Sequence, residues 1–345
     1  MRSILATIMI LLATLSLSCT SDDNSGSGDR PKATLRSAPR LTFPHDTDSN
    51  SPAYWANGQL YILNSAGHPW RSSGNSLSEL GQPQAVTYSN RVNGGRWIEA
   101  VWRHGDGVLY GWYHLEPTGL VPGTTLTAPK IGALRSDDNG ATWKDLGIVL
   151  EAPPNTLKPD AQNGYFAGGH GDFCVYLDQD ERWLYFYFSN YAGDVREQGV
   201  SLARMSWKDR DNPVGHVFKY HAGRWTEPGL AGRVTPIWPA FIAWERPDCN
   251  AFWGPSIHWN SHLNRYVMLL NRSKAKGWVQ DGIYISFAKT LDNPRAWSTP
   301  RRLLAGGSWY PQVIGLTPGG TDKYAGEVAR FFMAGVSEYE IAFEK

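Results

Sequence analysis

Ser136-Asp137-Asp138-Asn139-Gly140-Ala141-Thr142-Trp143 stands between two short apolar runs, Ile131–Leu134 before it and Leu146–Leu150 after it. The stretch predicts a tight turn joining two strands. Asp and Asn side chains bond back to the local backbone and tolerate left-handed torsions, and Gly140 adopts positive φ without strain. Trp143 then restarts a strand with a large apolar anchor. Two looser copies follow. Asp211-Asn212-Pro213 leads, after an insertion, to Trp225-Thr226-Glu227-Pro228, and Asp292-Asn293-Pro294 leads to Trp297-Ser298-Thr299-Pro300. A repeated turn, Trp and apolar pair predicts a fold built from repeated units.

Around these turns the chain reads as all-β. From about residue 41 onward, short β-branched and aromatic runs alternate with Gly, Pro, Asn and Asp, and helical periodicity is nearly absent. Five segments share one layout, a strand, a turn and a second strand with Tyr near its start. They begin at Ser51, Arg96, Gly171, Phe252 and Trp309. Five units over roughly 300 residues predict a five-bladed β-propeller, with blades at 45–90, 91–152, 165–230, 250–304 and 305–345. The last unit is short of a strand, and 41–45 is the expected ring closure, because an open ring leaves exposed edges. The tract 231–249 is read as a long connection.

The 345 residues are 41% hydrophobic, enough for a large core. The formal net charge of +1 includes no long Lys/Arg stripe, so nucleic acid is not an expected partner. Nothing indicates oligomerisation, and a monomer is the default. Sixteen Trp and sixteen Tyr are expected mainly as cross-strand packing, with a few left as flat platforms for sugar rings.

The N-terminus carries Arg2, the apolar run Ile4–Leu17, then Ser18-Cys19 and a polar tract. This is a signal peptide over 1–19 rather than a membrane span. Ser18-Cys19 resembles a bacterial lipobox, although Ser16 stands where Leu is usual. The resemblance implies Cys19 as the lipidation site, a lipid anchor as the only membrane contact, and a location in the bacterial cell envelope. Residues 20–40, rich in Ser, Asp, Asn and Gly, read as a disordered tether to a domain over 41–345. Cys174 and Cys249 remain, either as a disulfide or as free buried thiols.

Innermost propeller strands converge on the axis, so residues near their starts line one mouth. Counting back from the first turn of each blade gives Asp46, Asp48 and Asn50, then Arg96 and Glu99, then His170 and Asp172, then Trp253 with His258 deeper, then Trp309, Tyr310 and Gln312. Glycoside hydrolysis needs one protonated and one ionised carboxyl across the bond. A third nearby raises the acid's pKa.

Ser136–Trp143 resembles the Asp box of sialidase-like propellers at every diagnostic position, S-x-D-x-G-x-T-W. The arginine triad and Arg-Ile-Pro phrase of true sialidases are absent. In blade count, Tyr-rich strands and one acidic residue from each of the first three blades, the chain resembles the five-bladed glycoside hydrolases such as family 43. That resemblance implies Asp48 as the base activating water, Asp172 as general acid and Glu99 as its tuning neighbour; Glu99 and Asp172 could exchange roles. The chain departs from the family in lacking Asp-Pro after the first turn and in having Asp172 where Glu is common. Arg96, His170, Trp253, His258, Trp309, Tyr310 and Gln312 are the expected substrate-binding set, with His114, Glu116 and Trp112 at the rim. No cofactor is expected, though an axial His contacts a central ion in the resembling enzymes, which points to calcium beside His258. Two other functions fit the same funnel. One is a non-catalytic glycan-binding lipoprotein. The other is a polysaccharide lyase using His170, Arg96 and Tyr310.

Overall fold

The computed structural model describes residues 31–274 and 276–345. The signal peptide, Cys19 and most of the polar tract lie outside the described residues. Among the described residues every regular element is a strand or a three-residue 3-10 turn. The strands form five sheets, one per blade, as expected of a five-bladed β-propeller.

Blade 1 runs Ala53–Ala56, Gln59–Ser65, Pro69–Gly74 and Gln84–Ala85 from the axis outward. Blade 2 runs Gly95–Arg103, Leu109–Glu116, Lys130–Ser136 and Thr142–Leu150, and blade 3 runs His170–Leu177, Trp183–Asn190, Gly199–Ser206, Val217–His221 and Arg224–Pro228. Blade 4 runs Ala251–Asn260, Arg265–Ser273, Gln280–Ala288 and Arg301–Ala305. Blade 5 takes Gln312–Gly315, Val328–Met333 and Val336–Glu344 from the C-terminal end of the chain and Lys32–Thr42 from its beginning. These strands pair antiparallel within each blade, short parallel pairings add Thr87–Tyr88 to blade 2 and Tyr324–Ala325 to blade 4, and buried aromatic and branched side chains fill the layers between blades.

The closing strand corrects the expected boundary. Residues 32–40, assigned to the tether, are the greater part of the strand that closes the ring, and the expected closure at 41–45 captured only its end. Lys32 pairs with Glu344 and Thr42 with Val336. Ala33 and Leu35 alternate with outward-facing polar residues and pack on the blade 5 core. Pairing removes the open edge that Val336–Glu344 would otherwise present. The ring is also sewn at its inner end. The buried Gln312 amide accepts from Ser51 N at 2.6 Å and donates to Ser51 O at 2.8 Å.

The turn at 136–143 is a dense hydrogen-bonded knot. Asp138 Oδ1 accepts from Ser136 Oγ at 2.8 Å, Thr142 N at 2.9 Å and Ala141 N at 3.1 Å, while Oδ2 accepts from Thr142 Oγ1 at 2.7 Å. Asn139 and Gly140 take φ of 54° and 78°. A Cβ on Gly140 would meet the Tyr54 hydroxyl at 2.5 Å, so this position requires glycine twice over. The looser copies are built differently. Asn293 caps a 3-10 turn by accepting from Arg295 N at 3.0 Å, and Asp211 accepts from Tyr110 and Arg135 of blade 2. Cys174 and Cys249 are both free and buried, so the disulfide alternative is excluded.

Candidate active site

Three inner strands break register at their axial ends. Pairing slips between Ile98 and Ala100 in blade 2, between Gly171 and Phe173 in blade 3, and between Trp253 and Ser256 in blade 4. Asp172 has φ 41° and Gly254 φ 56°. A bulge adds one residue and re-aims its side chain. Here the extra residues include Glu99 and Asp172, and both turn into one buried cluster.

Glu99 is 1% exposed and Asp172 3%. Glu99 Oε2 accepts from Phe173 N at 2.8 Å, which ties the carboxyl of blade 2 to the residue beside Asp172. His114, from the second strand of blade 2, sits between them. Its Nδ1 is 3.2 Å from Glu99 Oε1, 3.1 Å from Asp172 N and 3.9 Å from Asp172 Oδ1, and its Nε2 is 3.3 Å from Glu116 Oε1. The Tyr310 hydroxyl donates to Asp172 Oδ1 at 3.0 Å, and the Tyr191 hydroxyl donates to Oδ2. Asp48 lies at the solvent-exposed lip, where its Oδ1 accepts from Trp97 Nε1 at 2.5 Å. The Trp97 ring is 5.6 Å from that of His114.

The electrostatics follow from burial. Burial pushes Glu99 up to about 7, against the hydrogen bond and charge of His114. Burial also raises Asp172, opposed by His114 and the two tyrosines. Asp48 at the lip is raised as well, first by partial desolvation of its carboxyl, with the charges of Asp172 and Glu116 assisting and the Trp97 hydrogen bond opposing. For His114 burial pulls downward, but hydrogen bonds to Glu116 and Glu99 and the charge of Asp172 outweigh it, and the ring is held well above its usual range. The cluster therefore retains protons in the folded state that the unfolded chain releases. A raised pKa stabilises the fold below the unfolded value, and that contribution is lost as pH rises through the folded one. Urea midpoints are expected to fall between about pH 4.5, where an unfolded Glu titrates, and pH 7, the value reached by Glu99. The fall is expected to be smaller in Glu99→Gln. Equal slopes in the two proteins would refute the assignment of the proton to Glu99.

The structure brings Glu99, Asp172 and Tyr310 together, with Asp48 at the lip joined to them through Trp97, His114 deeper than the expected rim and Glu116 at it. Five expected binding residues are elsewhere. Arg96 is buried with its guanidinium 4.2 Å from the Tyr88 ring and 3.5 Å from Asp145, its partners lying apart from the Glu99 cluster. His170 packs against Phe188 with ring centroids 4.7 Å apart and tilted by 50°, and bonds to Gly169 O, and burial holds it well below its usual range; the bulge at Asp172 puts His170 and Asp172 on different sides. Trp253 is wholly buried, donating to Ser273 Oγ at 2.8 Å, because Trp278 covers it. Gln312 is spent on Ser51. His258 is buried against Phe343 and pushed by burial to about 3. Among the described residues the one group able to offer three metal-ligating atoms is Glu99, His114 and Asp172, so His258 has no carboxylate set for calcium. Trp309 is half-buried in an aromatic wall with Trp253 and Trp278, and its ring lies 6.3 Å from that of Tyr165, which is 42% exposed. These two form the open end of the wall beside Asp172.

Sequence reading missed Tyr191, Trp97 and Tyr165. Tyr191 had a signal. It ends the second strand of blade 3, and antiparallel pairing places that end opposite the start of the first.

No protein-family model matches the chain, and no curated protein matches it by sequence. Solved structures do match. One is an exo-1,5-alpha-L-arabinanase from a bovine ruminal metagenomic library, 13% identical over 87% of this chain and 94% of that one, with a TM-score of 0.51. A second is a thermostable family-43 glycoside hydrolase, 12% identical over 88% and 91%, with a TM-score of 0.51. A third is the endo-arabinase of Bacteroides thetaiotaomicron, 11% identical over 86% and 94%, with a TM-score of 0.50. The chain shares their fold. At such identities the likeness is one of architecture, and the chemistry must be argued from the residues of this chain.

Proposed function

We propose that the protein is a glycoside hydrolase acting on a poly- or oligosaccharide. The observation that carries this reading is the meeting of Glu99 and Asp172, from successive blades, around His114 in one buried cluster, with Asp48 of the first blade at its lip on Trp97. Cleavage of a glycosidic bond needs a carboxylic acid that keeps its proton near neutrality and a carboxylate that draws water. Asp172 is the proton donor, buried and oriented by two tyrosine hydroxyls. Asp48 is the base, at the lip where water reaches it and held by Trp97. Burial keeps the charge of Asp172 from forming, against the pull of His114, which shares a proton with Glu99 behind it. Tyr165 and Trp309 offer faces on which a sugar ring can stack. Inversion is the proposed outcome, with Asp48 acting on water from the side opposite Asp172.

Two of the structures of like fold are named as arabinanases, which makes α-1,5-arabinan the first substrate to try. Incubation with a glycan panel, reading reducing ends and the anomer first formed by proton NMR, tests the reading. Binding without cleavage across the panel would leave the glycan-binding alternative in its place. The lyase is disfavoured, because Arg96 and His170, which it requires, are held away from Asp172 and Tyr310.

We also propose export with Cys19 as the lipid-bearing residue, supported by the leader sequence alone. Labelling with a fatty-acid analogue is expected to mark the wild type and not Cys19→Ala. Equal labelling of both would refute it.

A further inference from the structure

A cavity of about 810 Å³ opens on blade 3, away from the acid cluster. Trp183, on its wall, lies six residues along its strand from Ser189, whose hydroxyl bonds Asp172 O. At about 3.3 Å per residue that is roughly 20 Å. In the cavity the Arg204 guanidinium lies between two half-buried indoles, 4.1 Å from the Trp183 ring and 4.6 Å from that of Trp225. Strand pairing dictates this. Arg204 faces Tyr185, two residues from Trp183, and Trp225 comes from the outermost strand.

The charges around it are unbalanced. Arg182, Arg204, Lys208 and Arg210 line the cavity against Glu181 and Asp209. Arg182 is paired with Asp180 and Asp209 faces His216, whereas among the described residues no carboxylate pairs with Arg204, Lys208 or Arg210. Arg210 lies over the Trp207 ring at 4.7 Å, and its Nε is buried without a partner. Indole faces hold a guanidinium through its charge and leave its in-plane N–H edge free. That edge matches a carboxylate in two parallel hydrogen bonds.

We propose that this cleft binds an acidic sugar, the uronate residue of a polysaccharide, at a site separate from the acid cluster. A phosphate backbone would be met by a row of cations, and here the cations surround one pocket. The site stands independently of the hydrolase reading, since its chemistry uses none of the same residues.

Electrophoresis of the intact protein through gels containing polygalacturonate tests it. Retardation is expected with polygalacturonate, weaker at high salt, and absent with the fully methyl-esterified polymer. Arg204→Gln is expected to weaken binding at least about tenfold, consistent with loss of charge-assisted hydrogen bonds. Exposed Lys208→Ala, which leaves the indole stack intact, should weaken it about twofold to threefold, as expected of a rim charge. Unchanged thermal melting separates these losses from misfolding. No retardation, equal retardation of Arg204→Gln, or equal binding of the esterified polymer would overturn the proposal. So would tighter binding of single-stranded DNA, or loss of binding in Asp172→Asn, which would move the site to the acid cluster.

Discussion

Asp172→Asn is expected to lower hydrolysis of a natural glycan by about 10³-fold, within the range that general acid catalysis supplies. The amide keeps the shape of the carboxyl and can still accept from Tyr310, which bonds Oδ1 at 3.0 Å. It cannot carry the proton. The leaving oxygen of a sugar is a poor leaving group unless protonated, so the loss should fall on bond cleavage rather than on binding. An aryl glycoside with an acidic phenol leaves without that help. The same variant should therefore lose no more than about tenfold on the aryl substrate, whereas Asp48→Asn, which removes the base, should lose about 10³-fold on both. Initial rates on matched substrates separate the roles. Equal losses for Asp172→Asn on both substrates would remove it as the acid.

The second large effect is on stability. Trp143→Ala is expected to cost about 3–5 kcal/mol, the range for truncating a buried Trp. Trp143 is 1% exposed, packs with Tyr54, Leu109 and Leu134, and donates Nε1 to Gly140 O at 3.0 Å. Its ring also fills the space over Gly111, where a Cβ would come within 2.8 Å. Loss of the ring opens a cavity between blades 1 and 2 and unties the turn from its strand. Urea unfolding should show the shift in midpoint, with the activity of the folded fraction unchanged, because the turn lies at the other end of blade 2 from Glu99. A midpoint shift below about 1 kcal/mol, the usual size of a surface change, would contradict the packing described.

Much of this was legible in the residues. The blades could be counted because each inner hairpin alternates apolar and turn residues, and the 136–143 knot carries its hydrogen-bonding groups in sequence. Glu99 and Asp172 could be placed near the axis from their distance to the first turns. What could not be read was orientation. His170 and Asp172 are two apart and would share a face in a regular strand; a φ of 41° at Asp172 separates them. Nothing in the residue type announces that torsion. Burial of Trp253 depends on Trp278, brought in from elsewhere in blade 4 by the fold. Gln312 resembled a polar lining residue until ring closure set it against the Ser51 peptide. The strand at 32–42 was readable. Lys-Ala-Thr-Leu-Arg alternates strictly, but its polar neighbourhood drew it into the tether.

Closing the ring with Lys32–Thr42 against Val336–Glu344 also sets a timetable. The first strand of the domain to leave the ribosome is paired with the last. Until Glu344 emerges, neither the blade 5 sheet nor the ring can be completed, and Lys32–Thr42 has no partner to dock on. A contact between the two ends of a chain is the slowest kind to form. The ring therefore stays open until its last strand has been made, however early the other four blades have formed.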